Sequence, residues 1–260
     1  MMQAKLELSE FAYLLHTLKA SQVVGVDSAL FFPDDELIRE SLLRTGLETL
    51  RTHGWMVPQG LGWQINTRLV LMVAVVATPE IIVTMTQSTP AGRQQIVTYY
   101  LAQSIYIEQF RTADDQYLLT ELDTETDFVG RLQAAFQIPA ATPWSAPISL
   151  PTSALTEAVN LARSGDSAFI LSLLEEFGGE QSGLADLLVS LRPVGDLEFA
   201  TLQGNQVIEL RDAVILEGTD GSKWAMSHNQ ESGEVTFHPL NMERFSAFVL
   251  SRMSQLSWES

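Results

Sequence analysis

The amino-acid sequence predicts an α+β protein built as two similar halves, 1–138 and 153–260, joined by a connector at 139–152. Three observations carry this. Apolar spacing near 3.6 residues gives way to alternation of period two, and does so twice along the chain. A proline-dense stretch separates the two runs. Matching features recur at a nearly constant offset.

The first half opens with a helix capped by Ser9 and running Glu10–Ala20, with Phe11, Leu14, Leu15 and Leu18 on one face. A second helix follows Pro33. Leu37, Ile38, Leu42, Leu43, Leu47 and Leu50 recur at helical spacing, and Gly54 is placed to end it. A third, capped by Asn66, carries the nine-residue apolar run Leu69–Ala77 and stops before Pro79; apolar all round, it reads as a buried helix. The period then changes to two. Strands are expected at Ile81–Ser88, Gln94–Leu101, Ser104–Arg111 and Gln116–Leu122, with one long bent strand from Gln94 to Arg111 as the alternative. A helix at Thr126–Gln137, with Phe128, Leu132 and Phe136 on one face, closes the half.

Pro139, Pro143, Pro147 and Pro151 fall within thirteen residues, a density that excludes helix and central strand, so this stretch reads as an extended connector in which Trp144 anchors on the body. The order then repeats. Helices are expected at Ser153–Arg163, Asp166–Phe177 and Gly183–Leu191, strands at Leu197–Gly204, Arg211–Gly218, Ser222–Asn229 and Glu234–Pro239, and a last helix at Asn241–Leu256. Thr219-Asp220-Gly221 is a hairpin signal. Leu69 matches Leu184, Pro79 matches Pro193, Ile107 matches Trp224, Leu118 matches Val235 and Phe128 matches Phe245, all at offsets of 114 to 117 residues. Each half has a sheet with an apolar face and an edge to cover, which predicts a pseudo-two-fold arrangement of the halves. Trp224, mid-strand beside its turn, is expected in the core.

Composition narrows the function. Fifteen Lys+Arg against 32 Asp+Glu give a net charge of −17, and no window gathers three basic residues. Phosphate backbones and anionic membrane surfaces call for the opposite sign, so neither nucleic acid nor membrane is an expected partner. With no cysteine, disulfides, thiolate nucleophiles and cysteine-ligated metals are excluded. The N-terminus has no apolar signal-peptide core, and the longest apolar run is about half a membrane span, so a soluble cytoplasmic protein is expected.

Catalytic and cofactor motifs fail one by one. There is no phosphate-binding G-x-x-x-x-G-K-S/T and no G-x-G-x-x-G. Gly165-Asp166-Ser167-Ala168-Phe169 has Phe where a nucleophile elbow closes with glycine. His16, His53, His228 and His238 form no metal-ligand spacing, although a hairpin could bring the last two together. Asp123, Glu125 and Asp127 alternate as a calcium loop begins, but Phe128 and Ala134 stand where its glycine and glutamate belong. They read, like Asp34-Asp35-Glu36, as acids favoured at a helix N-terminus. The helix–turn–helix look of 41–76 fails for DNA because the would-be recognition helix reads Arg68-Leu69-Val70-Leu71-Met72-Val73. No catalytic residue, cofactor or metal is assigned.

The apolar pattern as a whole resembles a known family. Leu6-x-Leu8-Ser9-x-Phe11 opens the first helix, and Leu43-x-x-x-Leu47-x-x-Leu50 precedes a Gly-Trp turn. An all-apolar helix runs into Pro79-Glu80-Ile81-Ile82-Val83. In the second half, Ala213-Val214-Ile215-Leu216-Glu217-Gly218 and Lys223-Trp224-Ala225-Met226 precede the final helix. Together these are similar to the EspG family of type VII secretion-associated proteins. The resemblance implies two related α+β halves about a pseudo-two-fold axis, with a central antiparallel sheet and helical bundles. It also implies a cytosolic, non-enzymatic chaperone or adaptor for a secreted helical protein. Members commonly carry a long loop between strands of the first half; the hairpin here is only Thr112-Ala113-Asp114-Asp115. No binding residue is transferred.

The chain's own pattern suggests where a partner sits. Between two apolar helices, Gly178-Gly179-Glu180-Gln181-Ser182 forms a hinge. Phe177, Leu184 and Leu187 offer an apolar surface for an amphipathic helix, rimmed by Glu175, Glu176, Glu180 and Asp186. The alternative function is a small-ligand sensor or enzyme, its site lying between the halves and drawing on Trp55, Tyr99, Tyr106 and Trp224.

Overall fold

Alternation in Gln3–Leu6 turns Ala4 and Leu6 inward and Gln3 and Lys5 outward, and this segment is strand β1 in the computed structural model, which describes residues 2–20, 23–24, 28–60, 62–88, 94–144, 146–157, 190–229 and 232–254. The sequence reading had no strand there. Helix α1 follows at once (Leu8–Thr17), capped by Glu7 rather than Ser9: the Glu7 amide donates to the Glu10 carboxylate at 2.8 Å. A short helix α2 (Ser28–Phe31), also unforeseen, buries Phe31 in edge contact with Phe11 and beside Tyr117.

Helix α3 (Glu36–Thr52) starts where Asp35 accepts the amides of Leu37 and Ile38 and ends at Gly54, whose φ of +75° places it in the left-handed region. The glycine-rich reversal after it is a hairpin, β2 (Met56–Gln59) and β3 (Gly62–Ile65). Helix α4 (Thr67–Ala77) is capped by Asn66 as expected and buries Leu69, Met72, Val73, Val75 and Val76. It is not buried all round: Leu71 is 44% exposed.

Strands β4 (Ile81–Ser88), β5 (Gln94–Ala102), β6 (Ile105–Arg111) and β7 (Tyr117–Leu122) fall within two residues of the expected bounds. The alternative of one bent strand gives way to a hairpin. Gln103 and Ser104 both take positive φ, the two-residue turn that matches strand twist, and register runs from Val97 opposite Phe110 to Ala102 opposite Ile105. Helix α5 (Glu125–Phe136) begins with Thr124 accepting the Asp127 amide at 3.1 Å. The proline stretch contains a strand, β8 (Ile148–Pro151), a length compatible with proline at a sheet edge. Of the helix expected next, the described residues 152–157 are helical; the helices expected at 166–177 and 183–191 lie outside the described residues, apart from 190–191. Strands β9 (Arg192–Gln203), β10 (Gln206–Glu217), β11 (Lys223–Asn229) and β12 (Glu234–Leu240) and helix α6 (Met242–Ser254) complete the chain.

Two compact units emerge, and β4, β5, β9 and β10 each give residues to both. The first comprises Met1–Thr84, Ile96–Phe128 and Phe199–Leu210. Its strands hydrogen-bond in the order β1-β7-β6-β5-β4-β9-β10, and its core gathers Phe11, Leu15, Phe31, Leu69, Val73 and Tyr100. The second comprises Met85–Gln95, Val129–Glu198 and Arg211–Ser260, with strand order β10-β11-β12-β8. One core cluster there is Leu150, Leu216, Trp224, Val235 and Phe237. Trp224 is fully buried, its indole N–H donating to Ser222 at 3.1 Å, and Trp144 packs on it at 5.5 Å. Both tryptophans stand as the sequence led us to expect.

Candidate interaction surface

Two large apolar side chains stand exposed at the start of α3. Leu37 is 77% and Ile38 59% exposed, against the core-facing role their spacing suggested. Of the apolar positions on α3, the later stripe, Leu42, Leu47 and Leu50, reaches the core. Leu37, Ile38 and Leu42, with Ser41, Thr45 and Ser9 of α1, line an open groove of about 460 Å³. Asp34, Asp35, Glu36 and Glu40, on or just before α3, are exposed, as is Arg44.

Helices α1 and α3 pack closely. Gly46 makes this possible: a Cβ there would lie 2.0 Å from the Ser9 carbonyl oxygen and 2.9 Å from the Tyr13 Cβ. A buried polar clamp secures the same seam. Glu10 is fully buried, accepting from the Glu7 amide through one oxygen and from His53 Nδ1, at the end of α3, at 2.8 Å through the other. A buried carboxylate needs such partners, since burial without them would cost several kcal/mol.

What this surface offers chemically is burial and negative charge, without a reactive group. Contiguous exposed apolar side chains with a charged rim are the features of a protein-docking surface. Among the described residues no three His, Asp or Glu side chains gather as a metal site would require. His228 and His238 are not brought together: His238 lies opposite Ala225 and His228 opposite Val235, three positions apart in register. Asp127 and Thr124 form a helix start, not a calcium loop.

No family model matches the chain, and no curated protein does. Among solved structures, the Mycobacterium tuberculosis type VII secretion system chaperone EspG5, in complex with a PE25-PPE41 dimer, matches with a TM-score of 0.68. The match covers 100% of this chain and 98% of that one, at 12% identity. The fold is EspG-like. At that identity the likeness lies in element order and packing, which is the level on which the sequence resemblance rested. An EspG-like α+β fold was expected from the chain, and it is the fold found.

Glu175, Glu176, Phe177, Glu180, Leu184, Asp186 and Leu187 lie outside the described residues. Tyr99, Tyr106 and Trp224 are core residues, and Trp55 is half-buried against the first unit's core. Tyr106 stacks on Phe128 at 5.8 Å, and burial followed by the neighbouring Glu125 raises its pKa. Leu37 and Ile38 were expected on the core-facing stripe and are surface residues. One signal was available: adjacent positions point about 100° apart on a helix, so both cannot lie at the centre of the stripe through Leu47 and Leu50. Among the described residues no helix is long and apolar enough to cross a membrane.

Proposed function

We propose that this chain is a non-enzymatic, cytoplasmic protein-binding protein, a chaperone or adaptor that holds a secreted helical partner. The observation that carries the reading is the full-length likeness to a chaperone held in complex with a protein dimer. The groove along α1 and α3 supports it. Exposed Leu37 and Ile38 supply apolar area, and the acidic rim favours a partner whose amphipathic helix is flanked by basic residues. The segment 166–191, with Glu175, Glu176, Phe177, Glu180, Leu184 and Leu187, is proposed as a further contact region. The halves 1–138 and 153–260, joined by 139–152, are proposed to be copies of one unit. In each, four sequential strands lead into a helix, β4–β7 into α5 and β9–β12 into α6.

The test uses the tagged full-length chain as bait in its native organism, with retained proteins identified by mass and purified for titration. The expected result is stoichiometric retention of an exported helical protein, released as salt rises because exposed charges are screened. Leu37→Asp with Ile38→Asp is expected to weaken that complex at least tenfold, and a charge reversal at Glu175 and Glu176 is expected to weaken it further. Acids in the first turn of α3 favour its dipole, so melting of the double variant should be unchanged. Failure to retain any exported protein would sink the chaperone reading. Retention unaffected by the α3 substitutions would sink this groove alone.

A further inference from the structure

A pocket of about 380 Å³ in the second unit, unrelated to the groove, is walled largely by rings. It opens between the connector at Pro147, strand β12 and one stripe of α6. Pro147, Pro239 and Phe248 give it apolar walls, Leu240 extends them, and the imidazole of His238 adds a further ring. The two aromatic rings stand 5.5 Å apart with an interplanar angle of 51°. Walls of this kind suit an aromatic guest, since aromatic rings pack edge-on or offset at about 4.5–7 Å.

The polar groups of the lining narrow the ligand further. His238 is half-buried and, among the described residues, makes no hydrogen bond. Burial, and then the charge of Arg252, holds its pKa below the ordinary value, so the imidazole is neutral at pH 7. A neutral imidazole has one donor and one acceptor nitrogen, and a hydroxyl can pair with either. The other polar groups are engaged. Arg244 donates to the Trp144 carbonyl at 2.7 Å, and the Ser251 hydroxyl donates to the Phe248 carbonyl of its own helix at 2.8 Å. An anion would have to compete with the bond that holds Arg244. A cation is disfavoured, because Arg244 stands in the lining and the Arg252 guanidinium sits over the Phe248 ring at 5.1 Å. A mostly apolar pocket of this size, with one polar group to fix orientation, has the form of a small-molecule site.

We propose that the pocket between β12 and α6 binds a small neutral phenol, its ring against Phe248, Pro239 and Leu240 and its hydroxyl on the His238 imidazole. The site is formed within the second unit and is independent of the protein docking proposed above. The exposed Ala247 of α6 stands at its edge.

The experiment is calorimetric titration of the full-length chain with p-cresol, with toluene as the analogue lacking the hydroxyl and benzoate as the anionic one. The expected result is one saturable p-cresol site per chain. Toluene and benzoate should each bind at least tenfold more weakly, because a site that hydrogen-bonds a hydroxyl rejects the analogue without it. His238→Phe keeps a ring in the wall and is expected to bring p-cresol down to the toluene level. Ala247→Trp, a substitution at an exposed position, is expected to fill the mouth and abolish binding of both. Circular dichroism on each variant establishes that it is folded. The proposal is overturned by an absence of saturable p-cresol binding up to about 10 mM, by equal or tighter binding of toluene or benzoate, or by undiminished p-cresol binding in either folded variant.

Discussion

Replacing Gly46 with alanine adds one methyl group where α1 and α3 touch, and the fold leaves it no room. The new Cβ would stand 2.0 Å from the Ser9 carbonyl oxygen, where ordinary contact begins near 3.4 Å, so the helices must separate by ~1.4 Å. The obstructing atom is backbone and cannot rotate away. Opening the seam would loosen Phe11, Ala12, Leu14 and Leu15, all buried on α1, and would pull His53 away from Glu10. Overpacking of this kind costs about 3 kcal/mol, while alanine gains about 1 kcal/mol over glycine in a helix. The net expectation is a loss of about 2 kcal/mol, or ~4–8 °C in melting temperature for a chain of this size. Gly130 supplies the control, since it too is helical but a Cβ there meets nothing within 4 Å. Gly130→Ala should therefore raise stability by about 0.5–1 kcal/mol. Urea denaturation of both variants is the assay. Equal stability of the two, or a Gly46→Ala protein as stable as wild type, would refute the close α1–α3 contact and the groove built on it.

Three further outcomes are expected. Trp224→Ala should cost about 3–5 kcal/mol by urea titration, because it empties the centre of the second unit's core around Leu216, Val235 and Phe237; a loss under 1 kcal/mol would place the side chain elsewhere. A double-mutant cycle on Glu10→Gln and His53→Ala should give a coupling of at least ~0.5 kcal/mol, and zero coupling would mean the pair does not clamp the seam. Glu217 accepts from Lys223 at 2.7 Å and Arg192 at 3.1 Å, and the bond to Lys223 above all lowers its pKa below the ordinary 4.5. That stabilisation is present above pH 4.5 and is lost as pH falls through the lower folded value, so Glu217→Gln should cost about 1 kcal/mol at pH 7 and the two stability curves should converge in acid. Parallel curves down to pH 3 would contradict the pairing.

The chain by itself determined those features that depend on neighbours in sequence. Asn66 capping α4, Gly54 ending α3, the alternation of Ile81–Ser88 and the hairpin at Asp220-Gly221 are local matters of backbone conformation and side-chain period, and they were legible. The order of elements and the resemblance built on it were legible for the same reason. Tertiary structure decided what depends on distant partners. Gln3–Leu6 alternates over only four residues, too few to mark a strand; it is one because Tyr117–Thr120 offers it an edge. Ile148–Pro151, read as connector, is a strand because β12 stands beside it. The surface was the least legible part. Leu37 and Ile38 are apolar like the leucines that pack, and only the placement of α3 against its neighbours leaves them in water. Period and capping are written into adjacent residues, whereas exposure arises only when elements far apart in the chain come to rest against one another.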